Sequence, residues 1–221
     1  MSLAVLSEDG SYSLTTAGYT VLVLVMLALL LLACYITKAD ERGKTGTRRL
    51  VFSAMAIALA FVTSFIKFLS LPMGGSITLF SMFFICLIGY WYGLRSGLMA
   101  AVAYGILQLV IDPYILSIPQ MLCDYIFAFG ALGLSGVFSN AKRGLVKGYI
   151  LGVCGRFVFA FLSGLIFFGE YAPEGMNAAV YSAIYNGSYI FVEAVITIII
   201  ISIPAVSKAL SRIKILAVQE D

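Results

Sequence analysis

Four ionisable side chains, Lys67, Asp124, Arg156 and Glu193, lie inside long apolar runs of this 221-residue chain. A charge near a bilayer centre costs about 3 kcal/mol or more, so each marks a candidate for ion pairing, ligand binding or proton relay. Lys67 stands close to the end of its run, where its long stem can reach the interface, and is expected to snorkel there as an anchor. Asp124 falls about two helical turns, about 10 Å, below the outer surface and is expected to face a wet cavity. Arg156 and Glu193 approach one depth, about 20 Å, from opposite directions. Either they lock two helices as an ion pair or they form the base of a ligand pocket.

The run carrying Arg156 has a second pattern. Arg156, Ala160, Gly164 and Phe168 recur every four residues and so share one helical stripe, from charge through small residues to an aromatic. Small residues in membrane helices commonly serve close packing. The segment that follows, with Glu170, Tyr171, Glu174, Tyr181, Tyr185 and Asn186, adds rings, carboxylates and an amide at the same end. Rings and negative charge together suit a flat cationic heterocycle, through stacking and cation–π attraction. An ordinary interfacial aromatic belt is the alternative.

The elements that must position these groups are transmembrane helices. Hydrophobic residues make up 62% of the chain, charged residues 11%, and the mean hydropathy is +1.03. Soluble domains carry about a quarter charged residues, so water is not the main solvent. Apolar runs near 18–37, 50–70, 79–93, 96–111, 117–139, 146–168 and 179–207 predict seven helices, the last long enough to project beyond the bilayer. Barrel strands do not fit such long, uniformly apolar runs. The organisation expected is an outer N-terminus (1–17), a first transmembrane helix (18–37), a basic cytoplasmic linker (38–49), a six-helix membrane domain (50–207) and a cytoplasmic tail (208–221).

Orientation follows from the basic residues. Lys38, Arg42, Lys44, Arg48 and Arg49, then Arg95, then Lys142, Arg143 and Lys147, then Lys208, Arg212 and Lys214 all fall on alternate connections. The other side has Glu8, Asp9, Asp112, Glu170 and Glu174 and no basic loop residue, which predicts the N-terminus outside and the C-terminus in the cytoplasm. The net charge of +3 gives no reason to expect a nucleic-acid partner.

Several other motifs dissolve on inspection. Gly43-Lys44-Thr45 lacks the P-loop glycine, since Lys38 stands five residues earlier, so ATP hydrolysis is not expected in this chain. Leu31-Leu32-Ala33-Cys34 has the look of a lipoprotein cleavage site, but residues 1–17 contain no Lys or Arg. Asn186-Gly187-Ser188 is a sequon within a helix. The chain has no His, and Cys34, Cys86, Cys123 and Cys154 show no ligand spacing, so no metal, cofactor or enzymatic chemistry is expected. Ala54, Ala56, Ala58 and Ala60 make two small-xxx-small pairs, for packing within the bundle or docking onto a membrane partner.

Three blocks carry a resemblance: Leu71-Pro72-Met73-Gly74-Gly75-Ser76-Ile77-Thr78-Leu79; Tyr114-Ile115-Leu116-Ser117 with Gln120 and Asp124-Tyr125-Ile126-Phe127-Ala128-Phe129; and Ser163-Gly164, Phe167-Phe168-Gly169, Ala172-Pro173, Tyr181-Ser182 and Tyr185-Asn186. In order and spacing, over about residues 50–207, they resemble the thiamine-specific substrate-binding subunit, or S-component, of energy-coupling factor (ECF) transporters. The resemblance implies an all-α integral membrane protein, a six-helix S-component-like bundle, here with one extra N-terminal transmembrane helix. It implies a multi-pass protein of the bacterial plasma membrane that captures thiamine from outside. It implies, too, delivery by toppling, driven by a membrane coupling protein and two cytoplasmic ATPase subunits.

Carried onto this chain, the resemblance implies that Asp124 hydrogen-bonds the aminopyrimidine, with Tyr125 and Tyr114 beside it. Phe168 stacks on the ligand, Gly164 lets it approach the backbone, Tyr181 and Asn186 add polar contacts, and Arg156 lies deeper. Ala54, Ala56, Ala58 and Ala60 become the docking face, and the Gly74-Gly75-Ser76 loop helps cover the site. One position departs: many members place a ring-stacking His where this chain has Ala160, with Phe159 and Phe161 as candidate substitutes. A thiamine precursor, another small heterocycle and a proton-coupled secondary carrier are the alternatives.

Overall fold

The structure, a computed structural model, describes residues 47–219 together with residues 4–6, 12–15, 17, 20 and 21. The first predicted transmembrane helix (18–37) and the linker (38–49) lie almost wholly outside the described residues. Near the N-terminus, β1 (Ala4–Leu6) and β2 (Tyr12–Leu14) pair antiparallel.

The bundle proper begins with α1 (Thr47–Ser64). That span was expected to reach residue 70 and stops earlier. The Thr63 and Ser64 hydroxyls donate back to the carbonyls of Leu59 and Phe61, both at 2.7 Å, and so compete with the helix ladder. Beyond them β3 (Lys67–Ser70) and β4 (Ser76–Thr78) form an antiparallel hairpin around Pro72-Met73-Gly74. Lys67 therefore belongs to a hairpin strand and not to a helix, which corrects the snorkelling expectation. Met73 takes a left-handed φ of 63°, and Gly74 follows at 90°.

Four more helices and a short one complete the bundle: α2 (Ser81–Tyr92), α3 (Leu94–Ile111), α4 (Ile118–Phe138), α5 (Gly144–Phe167) and α6 (Ala178–Ser202). Five of these, α1 and α3 to α6, are long and apolar enough to cross a membrane, whereas α2 has 12 residues. The last span was expected to run unbroken to 207. Instead it breaks at Ile203, whose ψ of 127° is extended, because the residue before a proline is pushed out of helical space. Pro204 then opens a separate helix, α7 (Pro204–Val218), where a tail was expected from residue 208.

One half of the bundle is packed backbone against backbone. A side chain at Gly97 would come within 2.6 Å of the Gly133 carbonyl oxygen, and one at Gly148 would collide with the Ser135 carbonyl. The Ser135 hydroxyl donates to the Cys86 carbonyl at 3.0 Å and closes the same crossing. Cys86 is buried at this crossing, and Cys123 is buried nearer the other end, its thiol donating to the Phe159 carbonyl at 3.4 Å.

Ala56 and Ala60 are buried in this core, while Ala54 and Ala58 are exposed. Residues two apart on a helix are separated by about 200°, so the four alanines cannot share one face. Burial removes Ala56 and Ala60 from the expected docking set; the outward pair Ala54 and Ala58 stays available.

Candidate functional site

At the other end the helices splay around a cavity of about 1050 Å³, its open mouth included. It is lined by the hairpin and by α1 to α6. Of the residues expected in the site, Asp124, Tyr125, Tyr114, Arg156, Gly164, Phe168 and Asn186 all line this one space. Tyr181 does not line it; its hydroxyl lies 3.7 Å from the Met73 sulfur, at the hairpin tip.

Local backbone irregularity aims Asp124. Residues Leu122–Phe127 form a π-helical turn within α4, a feature that often marks functional positions in helices. Gln120, 1% exposed, organises the approach to it. Its amide nitrogen donates to Asp124 Oδ2 at 2.6 Å and to the Tyr114 carbonyl at 3.0 Å, and its oxygen accepts from the Leu116 N–H at 2.9 Å. The Tyr125 hydroxyl is likewise engaged with backbone, donating to the Asp112 carbonyl and accepting from the Tyr114 N–H, both at 2.8 Å. It therefore offers the cavity a ring face and holds the loop that carries Tyr114.

Tyr114 and Phe168 face one another across that wall, with ring centroids 5.9 Å apart and planes at 28°. The α5 stripe is intact, since Arg156, Ala160, Gly164 and Phe168 all reach the cavity. Gly164 has a packing role as well: a side chain there would collide with the Ser182 hydroxyl and come within 2.9 Å of the Asn186 amide. Neither Phe159 nor Phe161 lines the cavity; their rings pack on Phe127 and Phe157. They do not make up for Ala160. Tyr189 from α6 lines the cavity instead, its hydroxyl donating to Asn186 Oδ1 at 2.8 Å.

Arg156 and Glu193 form no ion pair. The Arg156 guanidinium lies 4.2 Å from the centroid of the Phe129 ring. Glu193, 4% exposed, accepts from the Thr78 hydroxyl at 2.8 Å, the Thr78 N–H at 3.1 Å and the Met82 N–H at 3.3 Å. It thus caps the start of α2 from another helix and ties β4 down. At the mouth, Lys67 and Asp112 are joined at 2.5 Å.

The hairpin is clasped along one stripe of α6. Tyr185 donates its hydroxyl proton to the Pro72 carbonyl and accepts from the Gly75 N–H at 3.1 Å. Tyr181, Tyr185, Tyr189 and Glu193 recur every four residues, a spacing signal equal to that on α5; the sequence reading used Tyr181, Tyr185 and Glu193 separately and had no place for Tyr189. A carboxylate and a guanidinium opposite stacked rings, under a polar cover, make a membrane bundle built to hold a small polar aromatic solute.

Comparison with known proteins gives the same class a family. Residues 50–212 match the model of the thiamine transporter protein family (Thia_YuaJ). A thiamine transporter of Bacillus subtilis, ThiT, is 32% identical over 165 residues, covering 68% of this chain and 84% of that protein. ThiT of Lacticaseibacillus paracasei is 32% identical over 128 residues, which is 50% of this chain and 64% of the other. The solved structure of ThiT from Listeria monocytogenes superposes with a TM-score of 0.63 at 28% identity, over 73% of this chain and 96% of that one. The chain belongs to the thiamine transporter family.

Proposed function

We propose that this chain is the substrate-binding subunit of a thiamine uptake system, and that the cavity beneath the hairpin is where thiamine sits. The carrying observation is the Asp124 carboxylate, presented by the π turn to the same space as the Tyr114 and Phe168 rings. Asp124 accepts hydrogen bonds from the aminopyrimidine, Phe168 and Tyr114 supply ring faces, and Tyr125 walls the pyrimidine side. Asn186, positioned by Tyr189, and Arg156 complete the floor, while Tyr181 acts through Met73 on the cover. With Ala160 in place of an imidazole, Tyr189 is the group that fills the wall opposite the stripe.

The N-terminus lies outside and the basic end of the bundle faces the cytoplasm, so the cavity opens outward. Delivery is by an ECF coupling protein and two cytoplasmic ATPases, with Ala54 and Ala58 on the docking face.

The test is calorimetric titration of the detergent-purified protein with thiamine. Heat is the right readout because the single tryptophan, Trp91, ends α2 about 15 Å from cavity-lining Ser81, too far to sense the ligand directly. Saturable binding at micromolar thiamine supports the reading, and none would overturn it. Thiamine uptake into vesicles holding this chain alone would overturn the ATP-driven part.

A further inference from the structure

The cavity accounts for one end of the bundle and leaves α7 at the other without a role. Three contacts fix its course. The Tyr92 hydroxyl, at the end of α2, donates to the Ala217 carbonyl at 3.1 Å; Arg48, at the start of α1, donates to the Gln219 carbonyl at 3.0 Å; Lys214 donates to the Ser139 carbonyl just beyond α4. Since α7 also starts where α6 ends, it crosses the basic end of the bundle from one helix terminus to others, and does not continue along the bundle axis.

Its inner stripe is Val206, Leu210, Lys214 and Ala217, with Leu210 packed on the core and Ala217 buried. A second stripe, Ala205, Ala209, Ile213 and Leu216, at four-, four- and three-residue spacing, is exposed, Leu216 to 55%. Beside it stand Lys208 and Arg212, both exposed. Among the described residues this end of the molecule carries no carboxylate at all; every described Asp and Glu lies at or toward the cavity end. A helix lying crosswise, apolar along one exposed stripe and basic along the next, has the make-up of an element that rests in the headgroup layer.

We propose that α7 is an interfacial helix that binds anionic phospholipid headgroups, with Ala205, Ala209, Ile213 and Leu216 dipping to the acyl boundary and Lys208 and Arg212 holding the phosphates. Charge complementarity chooses the occupant: Lys208 and Arg212, on an end whose described residues are basic and include no carboxylate, fit an anionic lipid surface and repel a second copy of the same face.

Trp91 makes this measurable in the whole protein. It is 8% exposed, its ring is 6.2 Å from that of Tyr92, and Tyr92 bonds α7. The protein is reconstituted in phosphatidylcholine vesicles containing either brominated phosphatidylglycerol or, at equal bromine content, brominated phosphatidylcholine. Brominated phosphatidylglycerol is expected to quench Trp91 more strongly, and K208Q/R212Q to lower the apparent preference by about fivefold for each cation removed. The preference should also fall with salt. Equal quenching by the two lipids in the native protein would overturn the proposal. So would a preference unchanged in K208Q/R212Q, because the lipid would then be held elsewhere on the basic end. Thiamine calorimetry on the variant serves as the fold control, since neither residue lines the cavity.

Discussion

The two ends of the bundle are held by different physics. At the basic end, Gly97, Gly133, Gly136 and Gly148 bring backbones into direct contact, and almost any added carbon strikes main chain. At the cavity end one such backbone contact recurs, Gly105 against the Tyr125 carbonyl, but the contacts that hold the cover and the acid are side-chain hydrogen bonds: Tyr185 to Pro72 and Gly75, Glu193 to Thr78 and Met82, Gln120 to Asp124. Backbone contacts cannot be exchanged without remodelling a helix crossing, whereas a hydroxyl or carboxylate can trade one partner for another at little cost. The same helices therefore provide a stiff frame at one end and an adaptable receptacle at the other.

The contrast is broken most severely at Gly133. In G133L the new Cβ would stand 2.5 Å from the Leu98 Cα and the Gly97 carbonyl carbon, neither of which can swing away. The cost is expected to reach about 3 kcal/mol or more, enough to lose the monodisperse peak on size-exclusion chromatography. Substitutions at the other end should spare the fold and act on the ligand. For D124A, losing a charged hydrogen bond of about 1.5–3 kcal/mol should weaken thiamine binding about ten- to hundredfold in calorimetry, with a melting temperature near that of the native protein. F168A removes stacking worth about 0.5–1.5 kcal/mol beyond area and is expected to cost about tenfold in affinity. Y185F deletes one hydroxyl from the hairpin clasp, about 1 kcal/mol, and should raise the thiamine off-rate about fivefold in stopped-flow displacement. If Y185F destabilised the bundle as much as G133L, the division between frame and receptacle would be wrong.

The sequence made the frame legible in part and the receptacle unevenly. Hydropathy located the long helices, because a span must satisfy its own backbone and cover its length with apolar residues. Intramembrane charge picked out Asp124 and Arg156, and four-residue spacing put Arg156, Ala160, Gly164 and Phe168 on one wall. The π turn at Leu122–Phe127 leaves no mark in hydropathy, since it changes only which carbonyl each N–H finds. The hairpin was missed because Phe68 and Leu69 continue the apolar run of α1, although the Pro72-Met73-Gly74-Gly75 turn was readable. Pro204 was readable too, as a helix stop within the last run. The partners of Glu193 and of the Tyr125 hydroxyl come from backbone far away or across a loop, and only tertiary geometry discloses them.

The central claim is that the Asp124 carboxylate reads the amino group of the pyrimidine. Replacing that amino group by a carbonyl gives oxythiamine, which offers the carboxylate an acceptor where it needs a donor. Competition calorimetry of thiamine against oxythiamine should show a strong preference for thiamine in the native protein and a collapsed one in D124N, whose amide can donate to the carbonyl. An unchanged preference in D124N would contradict the assignment.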